Sequence, residues 1–205
     1  MKKVALVFDD GPHAEQRMKM LAVLEQLNIR VTFACVGKQI EARPDMAEAA
    51  AKAGHEQVNH SYSHAHCNEL DATALEQELT RTGKLLKQTT GHASPWFWPP
   101  YGECDARCNA TVESLGLKNF LALGFPFVST RDWDVNRDAQ TVFKAATTGV
   151  QDGAIIVFHE WRIETLEILP TVVAELRSQG FKLVTFSELA GKTASPDAVS
   201  PRAGR

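Results

Sequence analysis

The chain has 205 residues, of which 44% are hydrophobic and 23% charged, and a formal net charge of −3. That length suits one domain with a sizeable core, and the mild acidity argues against a nucleic-acid partner. No apolar run approaches the ~18 residues of a membrane span, so none is expected.

Val4–Phe8 is a continuous apolar run and reads as a buried strand. It delivers Asp9 and Asp10, and Gly11-Pro12 turns the chain away. Adjacent residues at a strand end can point to different places, so the two acids can do different jobs. Met1-Lys2-Lys3 hints at a leader, but the apolar run behind it is too short for one. The expectation is a secreted, mature fragment or a cytoplasmic chain. Glu15–Leu27 carries Met18, Leu21, Leu24 and Leu27 at helical spacing, and Val31–Val36 reads as a second strand. Pro44–Ala53 is a helix stopped by Gly54. Gln57–Asn59 is a short strand leading into His60-Ser61-Tyr62-Ser63-His64. Its two imidazoles lie four residues apart, one helical turn, where they can share one ion. With a carboxylate they make an open three-ligand metal site that leaves room for water. The remaining carboxylate is the proton acceptor that hydrolysis needs.

Further on, Asp71 or Thr73 can cap a helix running to Lys87, and Trp96–Trp98 is a strand closed by Pro99-Pro100. Ala110–Leu115 reads as a helix, and Asn119–Leu123 and Phe127–Val128 as short strands. Ala139–Thr147 is a helix, and Ala154–Phe158 a buried strand delivering His159. The helix Thr165–Ser178 and the strand Lys182–Thr185 close the pattern. Strand then helix, repeated about seven times, predicts a parallel sheet with helical crossovers. The polar residues follow the strands, as at the C-terminal rim of a barrel, but a full barrel takes ~250 residues. A short or incomplete one is expected, occupying residues 1–190. Residues 191–205 lack large apolar side chains except Val199 and read as a linker or disordered tail, as in a larger multidomain protein. Cys104 and Cys108 fit a disulfide or two thiols one turn apart; reduced, partly buried thiols are the ordinary reading. His13, His55, His66 and His92 read as surface or supporting residues.

Phe8-Asp9-Asp10-Gly11-Pro12, His60-Ser61-Tyr62-Ser63-His64, Pro99-Pro100-Tyr101-Gly102, Asp132-Trp133 and the strand ending in His159 follow one another in order. In this the chain resembles the polysaccharide deacetylases, carbohydrate esterase family 4 or the NodB homology domain, over about residues 4–190. The resemblance implies an α/β fold, a distorted, incomplete (β/α) barrel of about seven parallel strands. It implies a hydrolase that removes acetyl groups from a polysaccharide or oligosaccharide with a divalent metal, zinc first, cobalt or nickel as substitutes. Position by position, it makes Asp9 the base, and Asp10, His60 and His64 the metal ligands. The backbone N–H of Tyr101 becomes an oxyanion donor and His159 the acid, with Trp133 and Val157 shaping the acetyl pocket. The family usually has Arg at Trp98, paired with the base and with the Asp matching Asp132. Ser129 stands where Asp is frequent, and Val157 where Leu is usual. Trp98 or Trp161 is a candidate for sugar stacking, and Arg131 a candidate substitute cation. Two function classes are compatible with this: a deacetylase of N-acetylglucosamine polymers or O-acetylated xylan, and a metal-holding pseudoenzyme that binds glycans. Retention of both Asp9 and His159 favours the enzyme.

Overall fold

The structure is a computed structural model that describes residues 1–191; apart from Gly191, the expected tail lies outside them. Its centre is β1 (Lys2–Gly11), whose residues Val4 to Phe8 are completely buried. Such a run suits a parallel strand covered on both faces. One edge of β1 pairs with β7 (Ala154–His159) from Val4 to Asp9. The other edge takes β8 (Phe181–Val184) at Lys2–Ala5 and β2 (Thr32–Cys35) nearer its C-terminal end. Beyond β2 come β3 (Glu56–Asn59), β4 (Trp96–Phe97) and β5 (Lys118–Asn119), and beyond β7 comes β6 (Phe127–Ser129). Every pairing is parallel. β5 and β6 end the sheet and do not pair with each other among the described residues, so the barrel is distorted and incomplete.

Strand alternation divides the core. Val4, Leu6 and Phe8 face outward with Leu24, Leu169 and Val173. These come from α1 (Ala14–Gln26) and α7 (Ile163–Ser178). Ala5 and Val7 face the interior with Val58, Trp96, Trp98 and Phe120. Asp9 shares their parity. Between Phe8 and Gly11 the pairing register shifts, and Asp10 takes a left-handed φ of 74°. This breaks the alternation and frees Asp10 from the outward face.

The other helices are α2 (Gly37–Ala42), α3 (Pro44–Lys52), α4 (Ala72–Thr90), α5 (Ala106–Ser114), α6 (Ala139–Thr147) and α8 (Phe186–Leu189). Asp71, Asp105 and Asp138 cap α4, α5 and α6 by accepting backbone N–H groups at 2.7–2.8 Å. The Asp105 cap starts α5 at Ala106 rather than at Ala110. Further expectations are corrected. Of the strand expected at Asn119–Leu123, Leu121–Leu123 is a 3-10 turn. Met18 is half exposed, because α1 turns Arg17 inward instead. Cys104 and Cys108 are joined as a disulfide, while Cys35 and Cys67 are buried free thiols. His55 is buried, its Nδ1 accepting the Val31 N–H at 3.2 Å. No helix among the described residues is long and apolar enough to cross a membrane.

Candidate active site

Asp9, Asp10, His60, His64 and His159 come together at the C-terminal ends of the strands, lining a cavity of about 850 Å³. β1 supplies the carboxylates, the loop after β3 supplies His60 and His64, and β7 supplies His159, which sits in register beside Asp9. His60 and His64 do not lie on a helix. Residues 60–66 form a loop in which Ser61 and His64 take φ of 60° and 61°. Glu78 of α4 holds that loop, accepting the N–H groups of Tyr62 at 2.8 Å and Ser63 at 2.7 Å and the Ser63 hydroxyl at 2.9 Å.

Ligand atoms of Asp10, His60 and His64 all lie within 4.8 Å of one another. Asp10 Oδ1 is 3.1 Å from His64 Nε2 and 3.6 Å from His60 Nε2, and its other oxygen accepts the Trp161 indole N–H at 3.0 Å. His60 Nδ1 is 2.6 Å from the Trp98 carbonyl, which fixes the ring with Nε2 toward Asp10. His64 Nδ1 is 3.2 Å from the Tyr101 hydroxyl. Asp10 Oδ1 is buried and receives no hydrogen bond. A buried oxygen without a donor, facing two imidazole nitrogens, fits a divalent cation.

Asp9 has a different environment. Its Oδ2 accepts the Trp98 indole N–H at 3.0 Å, and its Oδ1 is buried without a donor. On the far side, His159 Nδ1 meets Asp132 Oδ1 at 2.7 Å. Asp132 Oδ2 accepts the His159 backbone N–H at 2.9 Å and the Thr165 hydroxyl at 2.6 Å. Burial raises the Asp9 carboxyl above its ordinary value, outweighing the lowering pull of His60 and His159. Burial works to raise Asp10 as well, but the His60 and His64 imidazoles outweigh it and hold that carboxyl well below the carboxylate range. Burial opposes charge on His159, yet its bond to Asp132 raises it above the ordinary imidazole value. The two neighbouring acids are thus pushed in opposite directions.

The family described as polysaccharide deacetylase matches residues 1–120. The chain belongs to the polysaccharide deacetylase family. Over 191 residues it is 30% identical to the peptidoglycan-N-acetylglucosamine deacetylase PgdA of Listeria monocytogenes, which covers 93% of this chain and 39% of that one. Over 194 residues it is 28% identical to a bifunctional xylanase/deacetylase of Pseudobutyrivibrio xylanivorans, covering 92% of this chain and 30% of that one. The chain thus spans about two-fifths or less of the length of these curated relatives. A family 4 carbohydrate esterase from Streptomyces lividans, in complex with acetate, is similar in structure, with a TM-score of 0.84 and 28% identity. That match covers 96% of this chain and 98% of the other.

The remaining expected residues fall around the same cavity. Val157 is buried in its wall, while Trp133 and Tyr101 stand half exposed at its rim. Tyr101 has a φ of 58° and stacks on His66, ring centroids 3.8 Å apart. Trp98 is 2% exposed, so it presents no open face for stacking a sugar. Arg131 does not reach Asp9 or Asp132; it lies 3.7 Å from Asp134 and 5.4 Å from the Trp133 ring centroid. The supporting residues Glu78 and Thr165 carry no local sequence signal, since each meets its partner on another element of the fold.

Proposed function

We propose that the chain is a metal-dependent hydrolase that removes acetyl groups from a glycan. The observation carrying this reading is the contrast between the two carboxylates: Asp10 Oδ1 faces His60 and His64, and Asp9 keeps one oxygen tied to Trp98 and one without a donor. Asp10, His60 and His64 would hold the cation. When bound, a divalent ion acidifies water, polarises a carbonyl and favours the ionised form of Asp9. Asp9 Oδ1 takes the proton of the attacking water while Trp98 keeps the carboxylate in place. The Tyr101 backbone N–H donates to the developing oxyanion, a contribution of the kind commonly worth ~3–4 kcal/mol. His159, oriented by Asp132, donates a proton to the leaving nitrogen or oxygen. Val157 and Trp133 bound the space for the acetyl methyl.

A glycan-binding pseudoenzyme needs neither a carboxylate with a free oxygen, as Asp9 has, nor a tethered imidazole, as His159 is, and keeping both favours the enzyme. The names of the relatives favour N-acetylated glucosamine units, with O-acetylated xylan as the second candidate. The Cys104–Cys108 disulfide supports a place outside the reducing cytoplasm, at the cell envelope or beyond it.

Zinc content and acetate release from chitooligosaccharides, peptidoglycan and acetylated xylan test the reading together. Asp9→Asn is expected to retain near-stoichiometric zinc and lose ~10²-fold or more in turnover. Asp10→Asn is expected to lose the metal. Equal loss of metal in both variants would refute the division of roles, and absence of acetate release from every substrate would refute deacetylation.

A further inference from the structure

Beneath the site lies an ion pair that the proposed chemistry does not use. Arg17 of α1 and Glu160, the residue after His159, are both completely buried. Glu160 Oε1 accepts Arg17 Nε at 2.9 Å and the His13 backbone N–H at 2.8 Å, and Oε2 accepts Arg17 Nη2 at 2.5 Å. The backbone N–H of Glu160 donates to the Asp9 carbonyl at 3.1 Å. One residue therefore grips the chain on both sides of Asp10, at Asp9 before it and at His13 after it. The guanidinium is held in turn over the Phe33 ring, 3.8 Å from its centroid.

Asp10 needs such a grip. Its φ of 74° is a left-handed conformation, costing a non-glycine residue on the order of 1–3 kcal/mol and persisting only where the surroundings impose it. Gly11 shows how tightly the pair fills the space below. A Cβ there would collide with Glu160 Oε2 and lie 2.6 Å from Arg17 Nη2. Stability alone is a poor reason for the pair, because apolar residues of similar volume commonly replace a buried ion pair at no loss.

We propose that Arg17 and Glu160 form a clasp that sets the position of Asp10 and thereby the metal affinity of the Asp10–His60–His64 site. Neither residue touches the metal or the substrate; both are positioning residues. The inference rests on reading the triad as a metal centre.

Zinc affinity, measured by competition with a chromophoric chelator, tests it alongside thermal unfolding. In Arg17→Met/Glu160→Met the fold is expected to survive with a melting temperature near that of the wild type, while zinc binds ~10–100-fold more weakly. Arg17→Lys, which keeps the charge but lacks the planar fork that meets both carboxylate oxygens side by side, is expected to weaken zinc in the same direction by less, and it carries the test if the double variant does not fold. Asp138→Ala, which removes the cap of α6, is expected to lower the melting temperature and leave zinc affinity unchanged. Wild-type affinity in both clasp variants would overturn the proposal, as would an equal loss in Asp138→Ala. A wild-type chain that binds no zinc would overturn the metal reading itself, and the clasp with it.

Discussion

Trp98 puts a neutral N–H on the carboxylate assigned as the base, where the resemblance leads one to expect an arginine. The side chain keeps the orienting hydrogen bond, at 3.0 Å to Asp9 Oδ2, and gives up the charge. Trp98→Phe keeps an aromatic ring, though a smaller one, and deletes that bond. It is expected to lower kcat by ~10-fold or more, with KM on a small aryl acetate and zinc content unchanged, because only the aim of the base is lost. A rise in KM on polymer alone, with kcat intact, would assign Trp98 to sugar binding instead. At this scale the sequence was partly legible. The candidate residues Asp9, Asp10 and His159 could be picked out because they close apolar strands, and His60 and His64 because they form a spaced histidine pair. The indole-to-carboxylate bond could not, since it depends on the rotamer of a residue 89 positions from its partner. Nor could Arg17 and Glu160, which are 143 residues apart and carry the charges that local patterning assigns to the surface.

Among the elements, long periodic segments and buried strands followed the sequence closely: Ala139–Thr147 has the expected bounds, and β7 extends the expected strand by one residue to include His159. The six-residue α2 and four-residue α8 leave no mark in the sequence, because each is too short to show a period. In α1 the spacing points Met18 inward, but a buried arginine interrupts the apolar stripe. The segment between α3 and β3 shows what a buried histidine does to stability. Burial, with the Arg17 and Arg30 charges adding to it, pushes the His55 imidazole down to about 4 from 6.5. Above pH 6.5 neither the folded nor the unfolded chain is charged there, and the residue adds no pH dependence. Between pH 6.5 and 4 the unfolded chain binds a proton that the folded one refuses, so stability falls as pH falls. The loss is complete below pH 4 and amounts to on the order of 3 kcal/mol. His55→Asn, which keeps an acceptor for the Val31 N–H, is expected to flatten that stretch of a denaturant-derived stability profile. An unchanged slope would show that other groups govern acid unfolding.

For the molecule as a whole, parallel alternation around a central apolar strand identified the architecture, and the shortage of residues for a closed barrel announced that it would be incomplete. Where the wall would break could not be read, because pairing partners are not local. The break falls between β5 and β6, and it is at the site: Leu121, just past β5, and Phe127 of β6 both line the cavity. A pocket walled on every side at that rim would admit only the terminal unit of a glycan. A trough breached at its side can receive one laid across it, gripping a unit in mid-chain while both ends trail away in solvent. Partial digestion of a long acetylated oligomer, followed by mass-spectrometric sequencing of the product, is therefore expected to find free amines or hydroxyls at interior units from the first turnovers. Modification advancing inward from one terminus would refute this reading of the breach.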